Sequence, residues 1–472
     1  MGGKWRLVLL LTLVAAMLGG CVGEKPVLEE MGKDGKGKIK LVFDDEESFF
    51  RQYGDSFNVK YPDIEFEVVN LQELYWELQG KENVDHEAEW VKFLDKHKPD
   101  VLMIDLERME KLVQEGKLYN LDAVIAQDKF DLEGYMPGLI DLLREQGGGS
   151  LYGLAPFFTT NVIYYNAGLF REHHIEPPRD KMSWQEVLEL SNRFAGIGSG
   201  QDQIYGFDSS FGEPQELLFE VANVSSLRLF DAAGEKLVFQ TDGWKQMVRL
   251  TTDAIRNKAV YALSLDEEDS GEDFSSIDEP FFQGKAAMIM GSPWFITQLR
   301  KRAVKDKEAK PIDWGMVTAP VDPASPDESS YASLYTVYAI AADSPNKRAA
   351  WEFVKFVNGP EMAKSISRTV SGELPTRNQF MKEIEGKSTE VFYALRPKGE
   401  NESMWAGPNA DILHPFYSEF RKILKKELKA VIANKKTVDE AVAAIQAEGE
   451  AVLRKIREEK KTRRLTTENG SQ

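Results

Sequence analysis

The amino-acid sequence predicts an α/β fold divided into two lobes, each lobe a sheet flanked by helices. Strand-like and helix-like segments alternate from residue 38 onward, a pattern typical of parallel sheets joined by helical crossovers. Two loop-like breaks, at 146–150 and 320–330, are each followed by a return to the same alternation. The chain has 472 residues, 42% of them hydrophobic, which is enough for two hydrophobic cores.

The first lobe begins with alternating strands and helices. Residues 38–43 and 64–69 alternate apolar and polar side chains, as half-buried strands do, and the apolar run at 100–104 suits a fully buried strand. Aromatic residues after the first strand recur at helical spacing until Pro62, and a longer helical region extends to about Lys96. This order predicts a parallel sheet.

Later elements are predicted by capping residues and short apolar runs. A capping box at 183–186 opens one helix, and a proline in the first turn opens another at 344–357. The last quarter of the chain is predicted to be helical, with a frayed tail beyond Lys460. Apolar runs predict three more strands, at 161–165, 286–290 and 337–341.

The N-terminus has the pattern of a secretory signal. Lys4 and Arg6 precede an apolar stretch at 7–18, which is too short to span a bilayer comfortably. The stretch closes Leu-Gly-Gly-Cys and resembles the bacterial lipobox, so residues 1–20 are predicted to be a lipoprotein signal peptide and Cys21 the lipid attachment site. The alternatives are an uncleaved membrane anchor or an incidental thiol. Residues 21–37 are expected to form a flexible tether.

Charge and composition exclude several classes of function. The net charge of −18 argues against a nucleic-acid partner, which requires a basic surface. Cys21 is the only cysteine, so no intramolecular disulfide is possible. The five histidines lack metal-ligand spacing, and no catalytic motif is recognisable. The sequence therefore predicts no catalytic residues, no metal site and no cofactor.

Several segments, in order, resemble the family 1 extracellular solute-binding proteins, the sugar-binding lipoproteins of ABC importers to which maltose-binding protein belongs. Each segment alone is weak, but their order along the whole mature chain is specific. The segments are 99–103 (Pro-Asp-Val-Leu-Met), 152–156 (Tyr-Gly-Leu-Ala-Pro), 164–166 (Tyr-Tyr-Asn), 177–186, 282–288 with 291–294 (Gly-Ser-Pro-Trp), 344–353 and 372–377 (Gly-Glu-Leu-Pro-Thr-Arg).

The resemblance implies a periplasmic-binding-protein-like fold whose two lobes close on the ligand like a hinged clam. It places lobe one at 38–155 plus 322–378 and lobe two at 156–321 plus 379–472. It also implies a non-enzymatic, monomeric protein on the outer face of the bacterial cytoplasmic membrane. That protein would bind a carbohydrate and deliver it to ABC permease subunits.

Candidate ligand residues follow the predicted strands. In open α/β sheets ligands bind beyond the carboxyl ends of the strands, and the first and third strands run into Asp44, Asp45, Glu46 and Asp105. A carboxylate can accept hydrogen bonds from neighbouring sugar hydroxyls. The alternative is that these acids cap helices or are solvated loop charges.

Aromatic candidates come from the resemblance. Trp294 matches the family tryptophan that stacks on a pyranose ring, for which an indole offers a large flat surface. Further candidates for the cleft are Phe157, Phe158, Thr159 and Tyr335, each with core packing or loop polarity as its alternative.

Other ligands and functions stay open at the level of sequence. The family's sugar binders often carry aromatics on the lobe-one ligand loops, where this chain is acidic, which leaves room for a cationic ligand. The competing functions are an exported carbohydrate-active enzyme using two of the many carboxylates, and a surface lipoprotein that signals rather than transports.

Overall fold

The computed structural model describes residues 27–469 except 30, 32–34, 80, 82–83, 85, 210–212, 226, 263–279, 306–310, 369–371, 400–403 and 406–409. The predicted signal peptide, Cys21 and the start of the tether therefore lie outside the described residues. In the described part of the chain, no helix is both long enough and apolar enough to cross a bilayer.

Strands are distributed along the chain from residue 37 to residue 397. In chain order they are β1 Gly37–Phe43, β2 Ile64–Asn70, β3 Val101–Ile104, β4 Gly153–Leu154, β5 Phe157–Phe158, β6 Val162–Asn166, β7 Tyr205–Asp208, β8 Val260–Tyr261, β9 Ala286–Gly291, β10 Trp314–Thr318, β11 Glu328–Ser329, β12 Val337–Ile340, β13 Leu374–Pro375, β14 Glu383–Ile384, β15 Lys387–Ser388 and β16 Arg396–Pro397.

Helices connect these strands and form the C-terminal region. They are α1 Glu46–Phe49, α2 Asp55–Lys60, α3 Leu71–Leu78, α4 His86–His97, α5 Leu106–Gln114, α6 Asp122–Asp128, α7 Leu139–Gln146, α8 Ala167–Glu172, α9 Trp184–Asn192, α10 Pro214–Val224, α11 Asp242–Arg256, α12 Trp294–Lys305, α13 Lys347–Val357, α14 Pro360–Ile366, α15 Glu390–Tyr393, α16 Ala410–Ile432 and α17 Val438–Asn469. A π-helical segment, Phe50–Gly54, joins α1 to α2, and short 3₁₀ segments lie at Gly200–Asp202 and Asn378–Phe380.

Two five-stranded sheets give the molecule its two-lobed α/β fold, as the sequence predicted. The first sheet has the order β2-β1-β3-β12-β4, with β1, β2 and β3 parallel and β12 and β4 running antiparallel to their neighbours. The second sheet has the order β10-β6-β9-β7-β8, with β7, β8 and β9 parallel and β6 antiparallel to β9.

Each sheet is buried by helices that pack on it. An aromatic cluster around Phe49, Phe57 and Phe353 fills the core beside the first sheet, with ring centroids 5.6–5.8 Å apart. Val187 and Val221 are buried in the second core, on helices that pack against the second sheet. A third core joins α10 and α11 to the C-terminal pair α16 and α17.

Three chain segments run side by side where the chain passes between the sheets, and we call them the first, second and third crossing segments in chain order. The first contains β5 and Thr159, the second contains Ser333, and the third contains β13 and Thr376. β5 pairs antiparallel with β13, and Thr159 forms an isolated bridge with Ser333. The hydroxyl of Thr376 donates to the carbonyl of Ala155 at 2.7 Å, and the amide of Thr376 donates to Pro156 at 3.0 Å. The lobe boundaries given above stay a prediction, but these bridges locate the region where the crossing segments meet.

Local predictions agree with the structure in most places. The helix predicted at 344–357 begins at Lys347 after an Asn346 cap, so Pro345 precedes the helix instead of lying in its first turn. The capping box of Ser183 with Glu186 is present at the start of α9, and all six predicted strands exist within one residue of their predicted bounds. The break at 146–150 is a hydrogen-bonded turn in which the amide of Gly149 donates to Arg144 at 2.7 Å. The C-terminal tail is helical to Asn469 instead of fraying beyond Lys460.

Candidate functional site

The first sheet brings several predicted site residues to one edge. Asp44 and Asp105 follow the carboxyl ends of the parallel strands β1 and β3. β12 runs the opposite way, with Val337 paired to Ile104, so the residues just before β12 return to the same edge. Tyr335 lies there with its side chain 70% exposed. The topology thus places Asp44, Asp105 and Tyr335 along one rim.

The second sheet forms a corresponding edge. β7 and β9 are parallel, so the turn after β9 that leads to Trp294 lies beside the carboxyl end of β7. β6 enters from this edge because Val162 pairs with Gly291 in an antiparallel register. Thr159 and the crossing segment therefore reach the second sheet next to Trp294.

The crossing segments meet the second sheet edge at Gly372. The hydroxyl of Thr159 donates to the carbonyl oxygen of Gly372 at 3.2 Å. A β-carbon added at Gly372 would lie 3.5 Å from Cβ of Trp294, and Gly372 has a φ of 103°, which favours glycine. Thr159, Gly372 and Trp294 therefore form a contact between the first crossing segment, the third crossing segment and the second sheet.

Trp294 presents an exposed indole on a rigid support. It is the first residue of α12 and its side chain is 43% exposed. The turn before Trp294 is held by a hydrogen bond from the core, because the buried hydroxyl of Tyr164 donates to the carbonyl of Ser292 at 2.9 Å. Burial raises the pKa of Tyr164 well above its usual value, so this hydroxyl stays protonated and remains a donor. The Lys301 ammonium lies 5.6 Å from the indole centroid.

Asp45 and Asp105 both act as helix caps, the alternative considered from the sequence. One oxygen of Asp45 accepts from the amide of Ser48 at 2.8 Å, and this hydrogen bond lowers the pKa of Asp45. One oxygen of Asp105 accepts from the amide of Arg108 at 2.8 Å, and the other lies 3.4 Å from the Arg108 guanidinium. The capping hydrogen bond uses one oxygen of each carboxylate. Ligand contact by Asp45 and Asp105 stays a prediction.

The carboxyl groups of Asp44 and Glu373 have pKa values above their usual range. Desolvation and the neighbouring charge of Asp45 raise the pKa of Asp44, and desolvation raises the pKa of Glu373. Both residues nevertheless remain exposed to solvent. The charges of both also contribute to raising the pKa of the buried hydroxyl of Tyr338.

Glu373 is a candidate site residue that sequence reasoning missed. It lies between Gly372, which contacts Trp294, and Leu374 in β13. The signal was present in the Gly-Glu-Leu-Pro-Thr-Arg segment, but the contacts of this segment with Trp294 and β5 join residues that lie far apart in the chain.

The remaining predicted residues differ in exposure. Glu46 is exposed in the first turn of α1. Phe157 and Phe158 form β5 and are buried, and the ring of Phe158 lies 5.3 Å from that of Tyr393. These two phenylalanines pack the crossing segments, so their contact with a ligand stays a prediction.

The carboxyl end of β7 supplies a second set of residues that the sequence did not reveal. Asp208 is buried, and its carboxylate accepts from the amide of Phe281 at 2.8 Å. Burial raises the pKa of Asp208 to about 6. At the start of α10, Glu213 pairs with Lys425 at 2.5 Å. Within the described residues, no group of His, Cys, Asp and Glu side chains could hold a metal ion.

Comparison with known proteins identifies the family. The model for bacterial extracellular solute-binding proteins matches residues 43–364. The chain belongs to this family. The match begins at the end of β1 and reaches α14, so it includes Asp44, Trp294 and Tyr335.

This solute-binding protein also resembles individual relatives. It is 28% identical over 182 residues to the maltotriose-binding protein of Pyrococcus abyssi, covering 34% of this chain and 38% of the relative. It is 20% identical over 354 residues to the sn-glycerol-3-phosphate-binding periplasmic protein of Yersinia enterocolitica, covering 71% of this chain and 74% of the relative.

A solved structure shows the same fold. The sugar transporter protein of Rhizobium etli, in an open conformation, superposes with a TM-score of 0.59 at 21% identity, covering 88% of this chain and 99% of that chain. The likeness supports the two-lobed, clam-like architecture of the solute-binding protein.

Proposed function

We propose that this solute-binding protein captures a sugar or oligosaccharide in the cleft between its two sheet edges and delivers it to an ABC importer permease. The observation that carries the proposal is the exposed indole of Trp294, held beside Gly372 where the crossing segments meet the second sheet edge. A flat aromatic surface next to carboxylates that accept hydrogen bonds is the chemistry that recognises a polyol ring. The maltotriose-binding relative supports the same ligand class.

The charges of the rim favour a neutral sugar over a glycerol phosphate, the ligand named for the Yersinia relative. Asp44, Asp45, Glu46 and Glu373 give the lobe-one side a negative potential, and the chain as a whole carries a net charge of −18. A phosphate would be repelled by this rim, whereas hydroxyl groups donate hydrogen bonds to it.

Replacement of the indole tests this proposal. Trp294→Ala should weaken binding of the best sugar by about 30-fold, because a desolvated central anchor contributes on the order of 2 kcal/mol. Calorimetric titration against a panel of mono- and oligosaccharides, preceded by a thermal-shift screen, measures this effect. Val304→Ala is the matched control, since Val304 is an exposed apolar side chain near the other end of α12.

Thermal melting of the same variant separates a binding role from a packing role. A half-exposed side chain leaves little core volume when it is truncated, so Trp294→Ala should melt close to the unmodified protein. A loss of roughly 3–5 kcal/mol of stability, with affinity retained in the folded fraction, would assign Trp294 to the core instead.

We further propose that the protein is a monomeric lipoprotein on the outer face of the bacterial cytoplasmic membrane. The lipobox-like sequence ending at Cys21 supports this placement, and two acyl chains on that thiol would anchor the protein stably. The long tether up to β1 would then let the lobes reach a permease. Cys21→Ser should leave an unprocessed or mis-processed chain, and mass spectrometry of the membrane fraction checks this. A normal mature mass with normal membrane retention would rule out the anchor.

A further inference from the structure

The helix that follows β2 carries an aromatic surface that the candidate site does not use. Among the described residues, four aromatic side chains are exposed: Tyr75, Trp76, Trp294 and Tyr335. Trp294 and Tyr335 lie on the rims of the proposed cleft. Tyr75 and Trp76 are 51% and 64% exposed at consecutive positions of α3. A single exposed aromatic side chain is ordinary on a protein surface. Two neighbouring ones form a patch, and such patches often mark binding sites.

The exposed face of α3 is continuous with the lobe-one rim. The amide of Gln72 donates to the carbonyl of Asp44 at 3.3 Å, so the first turn of α3 contacts the residue that ends β1. Tyr75 and Trp76 lie three and four residues after Gln72 and therefore share its face. Trp76 lies about 6 Å beyond Gln72 along the helix axis.

The opposite face of α3 fixes this orientation. Leu71, Leu74 and Leu78 are all buried in the core of the first lobe. The aromatic pair consequently cannot turn inward without exposing three leucines, at a cost of about 1.5–3 kcal/mol for each. Asn70 caps the helix by accepting from the amide of Gln72 at 2.9 Å, which fixes where the exposed face begins.

The side chains on this face are of the kinds that bind carbohydrates. Gln72 and Gln79 lie seven residues apart, on either side of the aromatic pair and on the same face. Amide groups both donate to and accept from hydroxyls, and the rings of Tyr75 and Trp76 provide flat apolar surfaces. Such a face binds a sugar unit by the same combination of stacking and hydrogen bonding as the cleft.

We propose that Tyr75 and Trp76 form an outer subsite that binds the end of a longer saccharide whose first units occupy the cleft at Trp294. This inference rests on the proposed sugar-binding function and makes it more specific, because it assigns an oligosaccharide rather than a monosaccharide as the ligand. The chain of the ligand runs from the cleft past Asp44 onto α3.

Length-dependent binding tests the subsite. Calorimetry is performed with maltotriose and maltoheptaose, and with short and long members of xylo- and arabino-oligosaccharide series. The unmodified protein should bind the longer member of its preferred series more tightly. The double variant Tyr75→Ala/Trp76→Ala should weaken binding of the long member about tenfold and leave the short member within twofold. Trp294→Ala should weaken both.

Two further variants complete the experiment. Trp76→Phe keeps a ring and should retain most of the affinity for the long saccharide. Val59→Ala truncates an exposed apolar side chain on the nearby helix α2 and should change neither affinity. Thermal melting should show that all variants fold, since the removed side chains are exposed. If the double variant fails to fold, Trp76→Gln is used in its place.

The outcomes distinguish this inference from the function on which it rests. If the unmodified protein binds no saccharide of either length, the sugar-binding function and the subsite both fail. If saccharides bind through Trp294 but the double variant affects short and long members equally, or affects neither, only the subsite is overturned. Loss of uptake into permease-containing membranes with unchanged saccharide affinities would also overturn it, in favour of a protein-docking surface.

Discussion

Asp44 and Glu373 carry charges that the surrounding fold disfavours. Desolvation raises the pKa of both carboxyl groups, and the charge of Asp45 contributes at Asp44. A carboxyl group whose pKa is higher in the folded than in the unfolded state binds its proton more tightly when folded. Its ionised form therefore lowers the free energy of unfolding at neutral pH, and this penalty disappears below the ordinary aspartate pKa of about 3.9.

Asp44→Asn should consequently stabilise the protein while weakening ligand binding. We expect a small rise in melting temperature at pH 7, equivalent to no more than about 0.5 kcal/mol for a surface group, and no difference near pH 3. Sugar affinity at pH 7 should fall about tenfold, because charge-assisted hydrogen bonds to hydroxyls are lost. Paired melting curves and titrations measure both effects. A lower melting temperature with unchanged affinity would mean that Asp44 serves the fold and not the ligand.

At the scale of elements, the third crossing segment is held in place by one buried cation. The guanidinium of Arg377 donates to the carbonyl of Asn358 at 2.8 Å and to that of Asp131 at 2.7 Å. It also lies 4.4 Å from the ring centroid of Tyr135 and 5.3 Å from that of Phe130. This planar, multidentate arrangement anchors the segment that carries Gly372 and Glu373 to the first lobe.

Arg377→Lys should destabilise the protein by about 3 kcal/mol, since a point-like ammonium cannot reproduce the fork of donors to two separate carbonyls or the stacking on the rings of Tyr135 and Phe130. Urea unfolding measures the change. Arg396→Lys is the control, because Arg396 makes an exposed ion pair with Glu328 at 2.6 Å and should change stability by less than about 1 kcal/mol. Similar unfolding midpoints for the two variants would contradict the anchoring role of Arg377.

Two of the longer strands that the sequence did not predict, β7 and β10, share a physical cause. β7 contains Gly206, where an added β-carbon would lie 2.2 Å from Cα of Ser191 in the helix packed above it. β10 contains Gly315, where an added β-carbon would lie 2.3 Å from the ring of Tyr165. Each glycine is required by a neighbour distant in the sequence, yet locally it weakens the strand pattern. The predicted strands either alternate apolar and polar residues, as β1 and β2 do, or are apolar runs, as β9 is, and they need no such neighbour to be recognised.

Prediction of the site residues was also limited by contacts between residues that are distant in the sequence. Trp294 lies a few residues after a predicted strand and could be proposed from its local motif, whereas Glu373 comes near Trp294 only through the returning third crossing segment. The capping roles of Asp45 and Asp105 are local, and the sequence offered them as the alternative to ligand contact. Local chemistry was therefore readable from the sequence, but which distant segments lie together was not.

At the scale of the whole molecule, we expect the three crossing segments to be the place where the two sheets move relative to one another. The segments are linked by short pairings, β5 with β13 and Thr159 with Ser333, so their hydrogen bonds can persist while adjoining residues absorb small changes in φ and ψ. The proposed ligand would contact Asp44 on the first sheet edge and Trp294 on the second. A ligand held from both edges binds the closed conformation more tightly and shifts the population toward it.

Small-angle X-ray scattering tests this closure directly. A compact chain of this length has an expected radius of gyration of about 23 Å, and saturation with the preferred sugar should reduce it. Trp294→Ala, at the sugar concentration that saturates the unmodified protein, should keep the larger radius because most of its sites are empty, and should contract only when the concentration is raised about 30-fold. An unchanged radius in the unmodified protein, with calorimetry confirming occupancy, would show that the ligand binds to one lobe without closing the cleft.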